Sequence, residues 1–500
     1  MEVKELFELA LIEYKKRNFL SAEKLYKKIL ENFPNDISTL NNLGTTLKEL
    51  GKNKEAIFYY EKALELKPED IITNYNLGVV FFKLQEFQKS IIFYEKIIKM
   101  DPKHFQSYQN LMDIYEKTNN HEKLEDIIAK VKSHLKNNSI IKLYEGILLF
   151  KKEKFNEAIK NLEVISFDSD KIKHEKLRVL TLGKSYDKIK NFDKAFSSFV
   201  KTNEIDFNLK SKNINKDFYL EKINIRKQFF SKLKKEEWPS LKLPNLQNNP
   251  IFMVGFPRSG TTLLDNILSG HPSIEVIEEK SMVPKLIGSL NQLTNNNLNN
   301  LKNINAEQIQ KLRNNYFENL YSHVNSKNNL KIYIDKLPLN IIYIGEIFKI
   351  FPQAKFIFSI RHPCDCVLSC FMQNFKINNA MANFFKLEDS AKLYDFVMEL
   401  WNQYIAIFQI NYHEVKYENL VENLETTSRQ LLKFLQLPWN DNVLKFFETA
   451  KEKKQINTPS YDQVIKPIYS DSAGRWKMYK KQISNSFEIL EPWIKKFKYK

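Results

Sequence analysis

The sequence predicts two architectures in one chain: an all-α solenoid of helical repeats, followed by an α/β domain built on a parallel sheet. Three observations carry this reading. Pro34, Pro68 and Pro102 stand 34 residues apart. From Ile251 a short apolar run enters a Gly-rich turn and then a stretch of helical periodicity. A second apolar run, at residues 355–360, ends on Arg361 and meets a proline two residues on. The bulk agrees: 500 residues exceed one ordinary core, and 43% hydrophobic with 13% aromatic residues is the composition of folded protein.

The repeats come first. Gly44 and Gly78 share the 34-residue spacing, and Met112 and Gly146 continue it. Twelve positions after each a small residue is expected; Ala56, Ser90 and Ala158 meet this, with Leu124 as the exception and Ala22 in register before them. Tyr26, Tyr60 and Tyr94 form another matched column, read as core. "NLGTTLKELGKNKEAIFYYEKALELKP" and "NLGVVFFKLQEFQKSIIFYEKIIKMDP" resemble the tetratricopeptide repeat, an antiparallel helix pair of 34 residues. Small residues let the two helices approach, and the proline ends one unit and starts the next. Gly183 follows Gly146 by 37, so an insertion of three residues is expected near Ser166 to Lys171. About six repeats are expected over residues 1–209. Each unit buries its apolar face only by stacking on its neighbours. The concave face of such arrays binds protein or peptide segments, so the expected partner is a protein or peptide acceptor, or a second copy of the chain as a homodimer.

Residues 210–248 are read as a helical linker. "YLEKINIRKQFFSKLKKEEW" has helical composition, and the Pro- and Asn-rich stretch from Pro239 ends it. The second domain is placed at residues 249–500.

Its first element is Ile251 to Gly255, followed by the turn Phe256-Pro257-Arg258-Ser259-Gly260 and a helix opening near Thr261 and Thr262. Strand, Gly-rich turn and helix N-terminus make an anion site, because backbone N–H groups and the helix dipole face the ligand. The spacing Gly255-x-x-x-x-Gly260-Thr261-Thr262 is P-loop-like, but Thr261 stands where a nucleotide kinase or ATPase carries Lys. The cation is Arg258, inside the loop, whose guanidinium offers a two-pronged fork to phosphate or sulfate oxygens.

"PRSGTTLL" resembles the loop that binds 3'-phosphoadenosine 5'-phosphosulfate in sulfotransferases. The family's companion motif, an Arg followed eight residues later by Ser, matches Arg361 and Ser369 in "AKFIFSIRHPCDCVLSCFMQNF". The chain is similar to bacterial proteins that join tetratricopeptide repeats to a sulfotransferase domain. Within the wider family "GHPSIEVIEEK" and "SYDQVIKPI" look most like protein-tyrosine sulfotransferases. The resemblance covers residues 250–500. It implies that Pro257, Arg258, Ser259, Gly260, Thr261 and Thr262 cradle the 5'-phosphosulfate, and that Arg361 and Ser369 hold the 3'-phosphate.

The same resemblance assigns the remaining roles. Glu279 is the expected base for the acceptor hydroxyl, with Glu278 and His271 as the other candidates. A solvated acidic cluster with Glu275 is the bland alternative. Lys336, in "YIDKLPLN" after an apolar run at residues 331–334, is expected to stabilise the leaving oxygen, with Asn340 orienting that loop. Ser460 matches the family Ser that contacts the transferring group, and Lys466 lies in the same motif. Arg475 is a further 3'-phosphate ligand, and Tyr417 packs near the adenosine. Trp476 and Trp493 are read as core.

The formal charge of +17 is mostly Lys spread along the chain, a composition bias and not a nucleic-acid patch. His362, Cys364, Cys366 and Cys370 have no second His/Cys cluster with zinc spacing nearby, so no metal is expected. Three Cys give no disulfide framework, the first residues do not read as a signal peptide, and no run of ~18 apolar residues occurs. The expected location is therefore the cytoplasm, without a transmembrane span. Small-molecule and glycan acceptors stay open. So do two other functions: a noncatalytic scaffold with a decayed transferase domain, and a P-loop nucleotide kinase.

Overall fold

The computed structural model describes residues 3–135, 138–210, 214–234, 238, 241, 243–246, 248–324, 331–448 and 473–499. The chain forms two compact units, Met1–Ser198 and Phe199–Lys500.

The first unit is a run of antiparallel helix pairs: Val3–Lys15 with Phe19–Asn32, Ile37–Glu49 with Asn53–Leu66, Ile71–Lys83 with Phe87–Met100, Phe105–Lys117 with His121–His134, and Ser139–Lys151 with Phe155–Glu163. A 3-10 turn, Ser169–Lys171, falls where the insertion was expected and leads into Ile172–Lys188. Asp36 and Asp70 start successive repeats by accepting the N–H of Thr39 and Thr73. The glycine column has a specific partner. A Cβ on Gly44 would stand 2.7 Å from Tyr60, on Gly78 2.6 Å from Tyr94, and on Gly146 2.5 Å from Leu162. Glycine and the large residue 16 positions later are one packing device, and Tyr26, Tyr60 and Tyr94 are core as expected. Another column was not foreseen. Arg17, Gly51, Gln85, Asn119 and Glu153, each 34 residues apart, all turn the chain between paired helices with φ of 56° to 77°. Only one of the five is glycine, the residue that adopts this conformation without steric cost.

In the second unit the helix Lys216–Lys232 begins three residues before the expected Tyr219, because Asn215 caps it through the N–H of Asp217 and Phe218. Five strands follow: β1 Ile251–Gly255, β2 Ile274–Glu278, β3 Ile332–Lys336, β4 Lys355–Ile360 and β5 Asn411–Lys416. They form one parallel sheet in the order β2-β3-β1-β4-β5. Both faces are covered, as a parallel sheet requires. Ile251, Met253, Ile334 and Ile357 meet Leu264, Ile267, Leu431 and Leu432 of the helices Thr261–Ser269 and Leu424–Leu435. On the other face Phe252 packs on Phe356 and on Tyr316 of the helix Ala306–Tyr321, and Phe358 stacks on Trp401 of Leu387–Ile407. β1 lies mid-sheet beside β4; the chain leaves β1 for β2 at one edge and β4 for β5 at the other, so the carboxyl ends of this pair open on the crevice where such sheets bind ligands.

β3 corrects the expected strand at residues 331–334: it runs on through Asp335 and Lys336. These two polar residues fit a buried strand because each has a partner on its own face. Tyr316 donates its hydroxyl to Asp335, and three carboxylates surround Lys336. No helix among the described residues is long and apolar enough to cross a membrane.

Candidate active site

The loop after β1 is held by its neighbours through its backbone. A Cβ on Gly255 would sit 2.4 Å from the carbonyl oxygen of Ser359, so only glycine lets β1 and β4 run this close. Ser359 donates its hydroxyl to the Ser259 carbonyl at 2.9 Å, and the Cys370 thiol donates to that of Pro257 at 3.4 Å. Arg361 Nη1 donates to the Arg258 carbonyl at 3.3 Å. The loop then turns through Arg258 at φ 69° and Gly260 at φ 98° into the helix Thr261–Ser269. No side chain caps that helix, and the buried Ser259 hydroxyl oxygen has no partner. Thr261 is buried and Thr262 half-buried at the first turn.

β4 and β5 deliver the second cluster to the same edge. Arg258 Nε donates to Ser369 Oγ at 3.0 Å, joining residues 111 apart in sequence. Ser369 lies on the helix Pro363–Phe371, which begins just after Arg361. The Arg361 guanidinium stands 4.8 Å over the ring of Tyr417, the first residue of the helix Tyr417–Glu422 after β5. The same ring lies against the loop, 2.7 Å from where a Cβ on Gly260 would be. Arg258, Gly260, Arg361, Ser369 and Tyr417 thus form one constellation. The turn that holds Arg475 is tied to the same helix as Ser369: the flanking N–H groups of Gly474 and Trp476 donate to Asp365, in its first turn.

The third cluster stands at the ends of β2 and β3. The Lys336 side chain is fully buried, with Nζ 2.9 Å from Glu278, 3.5 Å from Glu279 and 3.6 Å from Asp265. Burial pulls its pKa down, but Asp265, Glu278 and Glu279 together hold it above the ordinary lysine value. Asp265 lies in the helix Thr261–Ser269, so this cluster adjoins the loop after β1. Glu279 leaves β2 at φ 49°, with its N–H donating to the Lys336 carbonyl at 2.8 Å. Its side chain is 44% exposed against 23% for Glu278, so of the two acids Glu279 offers the freer carboxylate.

The remaining candidates separate from these clusters. His271 is buried with both ring nitrogens engaged: Nδ1 accepts from the Ser273 N–H and Nε2 pairs with the Pro438 carbonyl. That is a packing role, so the base candidates narrow to the two Glu. Asn340 is buried, with a side-chain N–H2 that has no partner. Trp476 stacks on His362 and Trp493 donates to Asp395, both as core residues. Cys364, Cys366 and Cys370 are buried thiols whose pKa values burial pushes up, that of Cys364 to about 12. Among the described residues no group of three or more His, Cys, Asp or Glu could hold a metal ion. Ser460 and Lys466 lie outside the described residues.

Residues 250–441 match the model of the sulfotransferase family, and residues 37–70 and 72–104 each match a tetratricopeptide repeat. The chain carries a sulfotransferase-family domain behind tetratricopeptide repeats. An uncharacterized protein of Aquifex aeolicus is 30% identical over 332 residues, which is 63% of this chain and 41% of that protein. The protein-tyrosine sulfotransferase of Drosophila melanogaster is 27% identical over 240 residues, 45% of this chain and 46% of the relative. Protein-tyrosine sulfotransferase 1 of Danio rerio is 28% identical over 242 residues, 45% and 65% of the two chains. The chain thus spans less than two thirds of each of these relatives.

Two acids of the sulfotransferase domain escaped the sequence reading, Asp265 and Asp365. Each is an acid on a mostly buried helix, and each is 1% exposed. The available signal was that a carboxylate on a buried helix face needs a cation or several N–H groups.

Proposed function

We propose that the second unit transfers a sulfuryl group from 3'-phosphoadenosine 5'-phosphosulfate to an acceptor hydroxyl. The observation that carries this reading is the Arg258 to Ser369 bond, which joins the two anion motifs at one sheet edge. A donor with anionic groups at both ends of its nucleotide suits such a pair of cradles, and no Lys at position 261 supports a kinase.

In this reading the backbone N–H groups of Ser259 to Thr262 and the Thr261 and Thr262 hydroxyls hold the 5' end, with Pro257 setting the turn. Arg361, Ser369 and Arg475 hold the 3'-phosphate, and Tyr417 closes the nucleotide side. Glu279 takes the proton of the acceptor hydroxyl as its oxygen bonds to sulfur. The bond from sulfur to the 5'-phosphate oxygen breaks, and Lys336 and Arg258 stabilise the charge left there. Positioning and charge neutralisation supply the rate, as in phosphoryl transfer, and no metal is required. Ser460 and Lys466 are assigned to the same site by resemblance.

For the acceptor we propose a phenolic hydroxyl in a protein or peptide that the repeats bind. The named relatives are protein-tyrosine sulfotransferases, helical solenoids bind chain segments, and a Glu base suits a hydroxyl of reference pKa near 10.

Two measurements test the donor. Arg258→Ala lowers transfer about 100-fold, the loss expected for one oxyanion contact. Adenosine 3',5'-bisphosphate binds far more tightly than adenosine 5'-phosphate; equal affinities refute the 3'-phosphate cradle. For the acceptor, labelled donor is incubated with a lysate of the protein's own source. Protease-sensitive label on tyrosine is expected, and label confined to small molecules refutes a protein acceptor.

A further inference from the structure

We infer that Asp365 is a positioning residue of the donor site, docking the Gly474–Trp476 turn so that Arg475 joins Arg361 at the bound phosphate. This rests on the donor reading above and assigns it a residue that touches no substrate.

The Asp365 side chain is fully buried. Acids in the first turn of a helix ordinarily serve that helix's own N–H groups or its dipole. Asp365 does not: Oδ2 accepts from the Gly474 N–H at 2.7 Å and Oδ1 from the Trp476 N–H at 2.8 Å. Both oxygens of one carboxylate thus grip the amides on either side of Arg475, which fixes the backbone that aims its side chain. Gly474, at φ 72°, supplies the bend that points the two N–H groups the same way. Three residues earlier, at the N-cap of the same helix, the His362 ring stacks on Trp476 at 4.9 Å and 18°, a second contact holding the turn. The carboxylate also faces Arg361, whose Nη2 is 4.0 Å from Oδ2. Burial raises the Asp365 pKa, and Arg361, the two amides and Arg475 act against that rise, which places Arg475 within electrostatic reach. One buried acid against two arginines leaves a positive charge over, and the site then suits an anion.

The test uses the full chain with Asp365→Asn, Arg475→Ala and the double variant. Asn is isosteric, but its amide oxygen can accept only one of the two N–H groups while its NH2 opposes the other. The affinities for adenosine 3',5'-bisphosphate and adenosine 5'-phosphate are measured together with amide hydrogen exchange. Asp365→Asn is expected to speed exchange in the peptide holding residues 473–479 and not across the sheet. It lowers bisphosphate affinity about tenfold, the low end for a charge-assisted contact, and leaves the monophosphate unchanged. Arg475→Ala does the same, and the double variant is no worse than the worse single, because one acts through the other. Losses that multiply, or an Asp365→Asn protein with wild-type preference, overturn the inference. A wild-type protein with no preference for the bisphosphate overturns the donor reading and the inference with it. If Asp365→Asn does not fold, Asp365→Glu, which moves the carboxylate by one methylene, takes its place with the same expectations.

Discussion

Replacing Lys336 by Met keeps the length of the side chain and removes the cation that three carboxylates face. The ammonium is fully buried and within 3.6 Å of Asp265, Glu278 and Glu279. The three acids do not lose equally. Glu279 is 44% exposed and Glu278 23%, so both can turn toward water, whereas Asp265 is 1% exposed and fixed in the loop helix. Breaking a buried pair by removing one partner costs about 3–5 kcal/mol, and here that falls on Asp265. At ~2 °C per kcal/mol for a domain of this size, the melting transition of the second unit drops by roughly 6–10 °C at pH 7. Two companion results identify the cause. Acid neutralises a carboxylate that has lost its cation, so the gap from wild type narrows as pH falls. Asp265→Asn in the Lys336→Met background recovers at least half of the loss, through coupling between direct neighbours. Differential scanning calorimetry reads wild type, Lys336→Met, Asp265→Asn and the double variant. A Lys336→Met transition within about 2 °C of wild type, or a deficit that neither acid nor Asp265→Asn reduces, would refute a buried lysine clamped by Asp265. Transfer activity falls independently, by about 100-fold or more, if Lys336 stabilises the leaving oxygen.

Other perturbations follow from single features. Gly260→Ala forces a Cβ to within 2.7 Å of Tyr417 at φ 98°, so nucleotide affinity by titration calorimetry falls tenfold or more; an unchanged value would mean that the ring moves aside freely. His362 is neutral, because burial first, then Lys477 and Arg361, lower its pKa to about 4. The unfolded chain takes up a proton near pH 6.5, so stability is full above that pH and declines as pH falls toward 4. At ~1.4 kcal/mol per pH unit the decline is at most about 3 kcal/mol, and His362→Asn flattens the urea-unfolding profile over this window. In the repeats Gln85→Gly relieves a left-handed residue and raises stability by about 0.5–1 kcal/mol, while Gly51→Gln lowers it by a similar amount, both read by urea unfolding.

What could be read from the sequence is what recurs or what clusters locally. The 34-residue prolines, glycines and tyrosines fix the helix pairs because each repeat must solve one packing problem in one way. The left-handed turns at Arg17, Gln85, Asn119 and Glu153 recur at the same interval, yet they were invisible. The cost of αL for an ordinary residue is small enough for packing to override, so residue type carries no signal there. In the second unit, Arg258 with the Gly-rich loop and Arg361 with Ser369 were legible, since each motif is contiguous or spaced by about two helix turns. That Arg258 itself bonds Ser369 was not: the sequence reading divided the two between opposite ends of the donor, and the sheet brings them to 3.0 Å. Asp365 was illegible for another reason. Its partners are backbone N–H groups more than 100 residues away, and any residue type supplies those.

Strand parity decides where the second cation goes. The loop lacks a Lys at position 261, so a positive charge at the start of the loop helix has to come from elsewhere. β3 lies beside β1, with Lys336 level with Met253, and successive side chains of β3 point to opposite faces of the sheet. Asp335 is sent to the face where Tyr316 donates to it, and burial there lifts its pKa to about 7. Lys336 is sent to the face of the loop helix, where Asp265 stands four residues after Thr261. A slip of one residue would reverse both placements. It would set a lysine against a tyrosine hydroxyl among phenylalanines, and an acid against Asp265, Glu278 and Glu279. The register Glu278↔Lys336 is therefore fixed by charge as well as by the apolar pattern. It also explains why the apolar run at residues 331–334 underestimates β3: the last two residues of the strand are polar because each faces a different partner, not because the strand has ended.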